Sequence, residues 1–144
     1  MLRNQSMPPG VIIPELAYAD LGAAVTWLCD SFGFRERLRI ADHRAQLVLG
    51  DASIVATQDT AERAGDITLT PSARAGRVMV RVADVDAHHQ RASSAGARIL
   101  HPPTDYPYGE RQYAVQDLGG HVWIFSESIA DVDPADWGGQ LVET

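Results

Sequence analysis

Five histidines, one cysteine and twelve basic residues, all of them arginine, define the chemistry this chain can attempt. With no lysine, a Schiff base on a lysine amine and a Walker A phosphate loop are both excluded, because each requires that side chain. Cys29 stands alone, so neither an intrachain disulfide nor a cysteine zinc cluster can form within the chain. It falls in the middle of a helical stretch with no histidine assigned beside it, and no nucleophile–base constellation is read. His88 and His89 are adjacent; on a helix their side chains diverge by roughly 100° and cannot both ligate one ion. His43, His101 and His121 fall at strand starts or in loops. Solvated or turn-bonding imidazoles are expected at all five positions, with His121 fixing a hairpin turn.

Residues that alternate with apolar ones carry more promise, because successive strand side chains point to opposite faces. Val78, Val80 and Val82 form an apolar set that must pack on helices, which turns Arg77, Met79, Arg81 and Ala83 to the other face. By the same rule Ile13, Glu15 and Ala17 oppose Pro14, Leu16 and Tyr18, and Arg44 and Gln46 oppose Ala45 and Leu47. Gln112, Ala114 and Gln116 oppose Tyr113 and Val115; Val122, Ile124 and Ser126 oppose Trp123 and Phe125. Glu15 and Arg81 are candidates for a charge pair, since a buried carboxylate needs a cationic partner. Such a pair either closes the structure or anchors a ligand. Tyr106 and Tyr108, beside Pro107 on a proline-rich stretch, offer a stiff aromatic wall for stacking on a flat ligand, unless that stretch packs down on the domain. Trp27 and Trp123 read as core.

The elements that must position these residues occur twice. A strand over Val11–Tyr18 leads to Asp20, a helix N-cap, and to a helix over Leu21–Phe32 with Leu21, Val25, Leu28 and Phe32 on one face; Gly33 ends it. Strands over Arg35–Ile40, His43–Leu49 and Ala52–Thr57 follow, the last two joined by a Gly50-Asp51 turn. A second strand, Arg77–Ala83, precedes a helix from Val85 to Ala95, capped by Asp84 and ended by Gly96. After it come a short strand Ala97–Leu100, a loop His101–Tyr108, a strand Glu110–Gln116, a turn Asp117–Gly120 and a strand His121–Ser126. Two copies of β-α-β-β-β are too few to stack as a solenoid. They predict an α+β domain of two βαβββ modules paired about a pseudo-twofold. The boundaries are an N-terminal arm 1–10, a first module 11–58, a polar linker 59–75, a second module 76–127 and a C-terminal arm 128–144. Ile67–Leu69 forms at most a brief edge strand in the linker, and Trp137 is expected to dock on its own domain or on a partner subunit.

The 144 residues, 45% hydrophobic, suit one ordinary globular domain or two half-domains sharing a core. A net charge of −7 argues against nucleic acid or an anionic membrane as a partner. No apolar run approaches the roughly 20 residues that span a bilayer. The first ten residues lack the apolar core of a secretory signal, and with one cysteine a cytoplasmic setting is expected.

Several segments together carry a family resemblance. They are Ile13-Pro14-Glu15-Leu16-Ala17-Tyr18-Ala19-Asp20, Phe32-Gly33-Phe34, Val82-Ala83-Asp84-Val85-Asp86-Ala87 and Tyr108-Gly109-Glu110-Arg111-Gln112-Tyr113 running on to Asp117-Leu118-Gly119-Gly120-His121-Val122-Trp123. Over about residues 11–127 the sequence resembles the vicinal-oxygen-chelate superfamily, also called the glyoxalase/bleomycin-resistance/dioxygenase superfamily. The turn departs from the family's frequent Asp-Pro-x-Gly by Leu118. The resemblance implies curved mixed sheets forming a cup with the helices outside. In the family's metal enzymes the first and last strands of each module each supply a His, Glu or Gln ligand to a divalent ion. Those positions here are Ile13, Val55, Arg77 and Ile124, and none has a lone pair to offer. A one-residue shift offers Ile12, Pro14, Trp123 or Phe125, which is no better. No metal or other cofactor is therefore expected, nor glyoxalase I or ring-cleaving dioxygenase chemistry.

The resemblance further implies a homodimer, and makes Arg111 the arginine that recurs after the tyrosine loop, either orienting that loop or touching an anionic ligand group. Metal-free relatives include dimeric drug-sequestering proteins of the bleomycin-resistance type. The expectation is a metal-independent binding protein for a small molecule such as an aromatic antibiotic. Its ligand would be held by Glu15, Arg44, Gln46, Arg77, Met79, Arg81, Tyr106, Tyr108, Arg111, Gln112 and Ile124. The alternative is a lyase, isomerase or dioxygenase of the same superfamily, with Glu15 as a buried general base and Arg77 or Arg81 holding an anionic substrate, or with an unrecognised metal site. A scaffold without ligand is a third reading.

Overall fold

Each α-helix among the described residues starts where an aspartate can cap it. The computed structural model describes residues 2–59 and 76–141, so the segment Ile67–Leu69 and nearly all of the expected linker lie outside the described residues. The chain divides into two units, 1–75 and 76–144.

The first unit comprises β1 (Glu15–Tyr18), α1 (Leu21–Phe32), β2 (Arg35–Ile40), β3 (Arg44–Leu49) and β4 (Ala52–Gln58). Asp20 is extended, and its carboxylate accepts from the Ala23 N–H at 3.1 Å. The Leu21 N–H, another donor that the helix cannot satisfy internally, reaches Gln58 Oε1 at 2.8 Å. Gly33 ends α1 in the left-handed region at φ 85°. Leu21, Val25, Leu28 and Phe32 are buried, as are Ala45, Leu47, Ile54 and Ala56 on the sheet face beneath them. The sheet order is β1-β4-β3-β2, with β1 parallel to β4 and the other pairs antiparallel.

β1 begins at Glu15 and not at Val11: Val11 and Ile12 are 95% and 85% exposed. Pro14 brings no N–H to a ladder. Its carbonyl accepts from the Val55 N–H at 2.9 Å, and the strand starts after it.

The second unit repeats the topology with β5 (Arg77–Arg81), α2 (Val85–Ser94), β6 (Arg98–Tyr106), β7 (Glu110–Gln116) and β8 (Val122–Ser128), in the order β5-β8-β7-β6. A single 3-10 turn, Pro134–Trp137, follows. Asp84 caps α2 by accepting from the Ala87 N–H at 3.0 Å, and Glu127 Oε1 accepts from the Val85 N–H at 2.8 Å, as Gln58 does for α1.

The expected loop over His101–Tyr108 is instead mostly strand. β6 runs through Pro102 and Pro103 to Tyr106, because it is an edge strand and its register with β7 jumps from His101 to Thr104, past the two prolines. Only Tyr106–Gly109 turns, with Gly109 at φ 83°.

Trp123, Phe125, Tyr113, Val115, Val85 and Ala92 fill the space between α2 and this sheet, each at most 1% exposed. His88 is a correction to the solvated reading. It shares the sheet-facing stripe of α2 with Val85 and Ala92. Its Nδ1 lies 2.5 Å from the Tyr113 hydroxyl, and its ring centroid 3.9 Å from that of Phe125.

Burial pushes the Tyr113 phenol well above its ordinary value. The folded chain therefore keeps a proton that the unfolded chain releases above about pH 10, so stability is full below that pH and falls as pH rises through it. The unfolding free energy measured in urea is expected to drop by on the order of 1 kcal/mol between about pH 10 and 11. Tyr113→Phe starts from a lower midpoint, having lost its bond to His88, but declines less steeply over the same range.

Candidate functional site

α2 covers one face of the second sheet, and the alternation read from the sequence describes the other. Arg77, Met79 and Arg81 are exposed on β5; they lie opposite Val122, Ile124 and Ser126 of β8, which lie opposite Gln116, Ala114 and Gln112 of β7. The expected site residues Arg77, Met79, Arg81, Gln112 and Ile124 thus share one open face. Glu110 pairs with Tyr106 of β6 on one side and Ser128 of β8 on the other, and extends that face to the end of the sheet.

There a directed chain of hydrogen bonds runs across the strands. The Tyr108 hydroxyl donates to Gln112 Oε1 at 3.2 Å, Gln112 Nε2 donates to Ser126 Oγ at 3.0 Å, and the Ser126 hydroxyl donates to Glu110 Oε1 at 2.7 Å. Hydrogen bonds from Ser128 and Ser126, with the nearby charge of Arg81, hold the Glu110 carboxyl below its usual range. Burial, with Tyr106 and the Glu110 charge beside it, raises the Tyr108 phenol. At neutral pH the chain therefore begins in a protonated phenol and ends in a carboxylate. That carboxylate can bind a cation or a donor and is a poor general base.

Beside this chain stand three aromatic rings. Tyr106 and Tyr108 are stacked with centroids 5.4 Å apart and planes 7° apart, and Trp137 lies 5.4 Å from Tyr108 at 60°. Trp137 remains 46% exposed, so the platform presents open aromatic surface. It arrives from the tail, whose Ile129 and Ala130 N–H groups both donate to the Gly109 carbonyl, at 2.8 and 3.2 Å.

Ser126 was expected on this face though not among the ligand-binding residues, and Glu110, Ser128 and Trp137 are functional candidates that the sequence reading missed. Strand parity placed Glu110 with Gln112, and that signal could have found it; the meeting of Trp137 with Tyr108 had no local signal.

Arg111 lies elsewhere. It stands on the helix-facing side with Tyr113, and its guanidinium binds Asp105 Oδ1 at 2.6 Å and Asp86 Oδ2 at 3.0 Å. It ties β6 and α2 together and is not part of the open face. The hydrogen bond and charge of the Arg111 guanidinium hold the Asp105 carboxyl below its usual range.

In the first unit, Arg44 Nη1 donates to Glu15 Oε1 at 2.8 Å. The Glu15 side chain is 49% exposed, so the buried carboxylate on which the general-base reading depended is absent. Gln46 lies on the same face but is buried and engaged by the N-terminal arm.

Four side chains stand where the family's metal enzymes carry their ligands. Ile13, Val55, Arg77 and Ile124 offer no lone pair. The register sets Glu15 opposite Val55 and Met79 opposite Ile124, which adds one ion-paired carboxylate and one thioether. Among the described residues no three His, Cys, Asp or Glu side chains converge. This donor set does not fit a divalent ion held in the manner of the metal enzymes.

The comparisons agree with the topology. The solved structure of TioX from Micromonospora sp. ML1 is 35% identical, with a TM-score of 0.68 over 83% of this chain and 99% of that one. A glyoxalase-related enzyme from Fulvimarina pelagi shares the fold at 19% identity, with a TM-score of 0.69 over 93% of this chain and 97% of that one. The uncharacterized protein Mb0911c of Mycobacterium bovis is 26% identical over 128 residues, 83% of this chain and 84% of that protein. No helix among the described residues is long and apolar enough to cross a membrane. Residues 12–125 match the family model, and the chain belongs to the glyoxalase/bleomycin resistance protein/dioxygenase superfamily.

Proposed function

We infer that this protein is a metal-independent receptor for a small aromatic molecule, held on the open face of the second sheet. The observation that carries the reading is the continuity of Tyr106, Tyr108 and Trp137 with the hydrogen-bonded chain that ends in Glu110. A planar ring stacks on the tyrosines or on Trp137, and a donor or cationic group of the same molecule meets the carboxylate. Arg77 and Arg81 border this region and suit an anionic substituent. A homodimer of modules bounded at 11–58 and 76–127, acting in the cytoplasm, belongs to the same reading. Antibiotic sequestration is the role that fits a receptor of this kind, and the stacked tyrosines support looking first among planar aromatic compounds.

The test is a thermal-shift panel of planar aromatic antibiotics and small oxo-acids, run beside metal analysis of the purified protein. A bound aromatic at a hundredfold excess over its Kd adds roughly 2.7 kcal/mol of stability and changes Trp137 emission. Tyr108→Ala is expected to weaken that binding about tenfold, the value of a lost aromatic stack with its area. A panel without shifts, or a stoichiometric protein-bound divalent ion accompanied by turnover of an oxo-acid, overturns the receptor reading in favour of an enzyme.

A further inference from the structure

The N-terminal arm reaches the face of the first sheet that lies opposite α1. Gln46 Nε2 donates to the Ser6 carbonyl at 2.9 Å. Arg37 donates through Nη2 to the Gln5 carbonyl and through Nη1 to Gln46 Oε1, both at 2.6 Å. One guanidinium and one amide, locked to each other, thus hold two successive backbone carbonyls.

Arg37 owes its aim to a bulge. The β2–β3 register shifts between Glu36 and Leu38, so Arg37 and Leu38 together stand opposite Gln46. Gln46 is 4% exposed, and Pro8 of the arm is buried. Further along, the arm passes the start of β4 at Gly10, where a Cβ would lie 3.9 Å from the Ser53 nitrogen. Ser53, on the same sheet face as Val55 and Thr57, is 3% exposed, and its hydroxyl has no hydrogen-bond partner among the described residues. A buried hydroxyl without a partner is costly and calls for an explanation.

These contacts take hold of the arm through its main chain, while the residues Gln5 and Ser6 themselves are exposed. Any backbone presenting carbonyls at the same spacing meets the same donors, and one that also carries a polar group toward Ser53 meets one more. We propose that Arg37, Gln46 and Ser53 form a second binding site, specific for peptide-like molecules with two successive amide carbonyls, and that the N-terminal arm is its resident pseudo-ligand. The site shares no residue with the aromatic surface of the second unit, so either can fail without the other.

A covalently attached arm competes at an effective concentration on the order of millimolar, so an external ligand must match that to displace it. The probe is the capped peptide acetyl-Asn-Gln-Ser-Met-Pro-Pro-amide, titrated into the full-length protein and followed by amide NMR. The Gln46 side-chain amide and the Ser53 backbone amide should remain in bound positions while the arm's own resonances move saturably to random-coil values. In Gln46→Leu and Arg37→Met the arm should be random coil before any peptide is added. Those variants should bind the peptide about tenfold more weakly than a full-length Gln5→Pro, Ser6→Pro protein whose arm is released but whose cradle is intact. Melting midpoints and the dispersed core resonances report whether each variant is folded. An arm that stays docked in both cradle variants overturns the proposal. So does an arm that is released in them while the peptide binds neither the wild type nor the Gln5→Pro, Ser6→Pro protein, because the contacts are then a structural clasp only.

Discussion

Replacing Asp117 with alanine is expected to lower stability by about 3–4 kcal/mol, a large part of the 5–15 kcal/mol that holds an ordinary domain together. The carboxylate is 5% exposed and receives three N–H groups. Oδ1 accepts from Gly119 and His121 at 2.9 Å each, and Oδ2 accepts from Trp123 Nε1 at 2.9 Å. One side chain therefore closes the β7–β8 turn and fixes the rotamer of the largest core residue. Alanine returns the turn amides to water, since Leu118, Gly119 and Gly120 are exposed, but it removes the acceptor from an indole that is 0% exposed. Asp117→Asn keeps one acceptor oxygen and sets an NH2 against a donor, so about half the loss is expected. Urea unfolding is the measurement, with a shifted midpoint and an unchanged slope. Adding Trp123→Phe to Asp117→Ala should cost less than the two single losses together, by about 1 kcal/mol, because the pair is in direct contact. An Asp117→Ala midpoint equal to that of the wild type would mean that Gly120, at φ 86°, and the Gly120 N–H to Asp117 carbonyl bond of 3.0 Å set the turn without the side chain.

The contrast between what the sequence disclosed and what it withheld follows the range of the interactions. Asp20, Asp84, Gly33 and Gly96 act on neighbours within a turn of helix, so the helices were legible to within a residue and the order of the βαβββ repeat was legible with them, although β1 starts later and β6 ends later than the sequence suggests. Strand parity was legible too, and it was more reliable than analogy. Parity groups Arg111 with Tyr113 on the helix side, where it is found, whereas the family resemblance left open whether it orients the tyrosine loop or touches a ligand; its bond to Asp105 beside Tyr106 accords with the former. The same parity groups Glu110 with Gln112. What remained hidden depends on partners far along the chain. β6 persists through Pro102 and Pro103 only because it is an edge strand with a register shift, and the sheet order decides that. The bulge that aims Arg37 is a mismatch between two strands, neither of which reveals it alone. The arm over Gln46 and the meeting of Trp137 with Tyr108 are docking events of polar, weakly patterned segments, for which periodicity offers no signal.

That last contact is held in place by a residue with no side chain. Gly109 has φ +83°, and a Cβ built there would lie 2.5 Å from the Ala130 carbonyl oxygen and 3.0 Å from Val132 Cγ2. The Gly109 carbonyl also accepts from the Ile129 and Ala130 N–H groups, so the tail lies on the glycine from both sides of the peptide. Gly109→Ala incurs about 1–2 kcal/mol for the left-handed backbone and about 1–3 kcal/mol for the overlap, if the tail stays. The backbone of Ala130 cannot swing aside as a side-chain tip would. The cheaper outcome is release of the tail, which limits the stability loss to what its docking contributes. The expected result is therefore a loss of about 2–3 kcal/mol together with a red shift of Trp137 emission and a loss of affinity for an aromatic ligand, although no ligand-contacting residue has been changed. Gly50→Ala supplies the control: its φ is +61° with nothing within 4 Å, so only the backbone component of about 1–2 kcal/mol is expected and Trp137 should be unaffected. If the two variants lose equal stability and Trp137 emission is unchanged in both, the tail does not depend on the close approach at Gly109, and the aromatic platform must be held by other contacts.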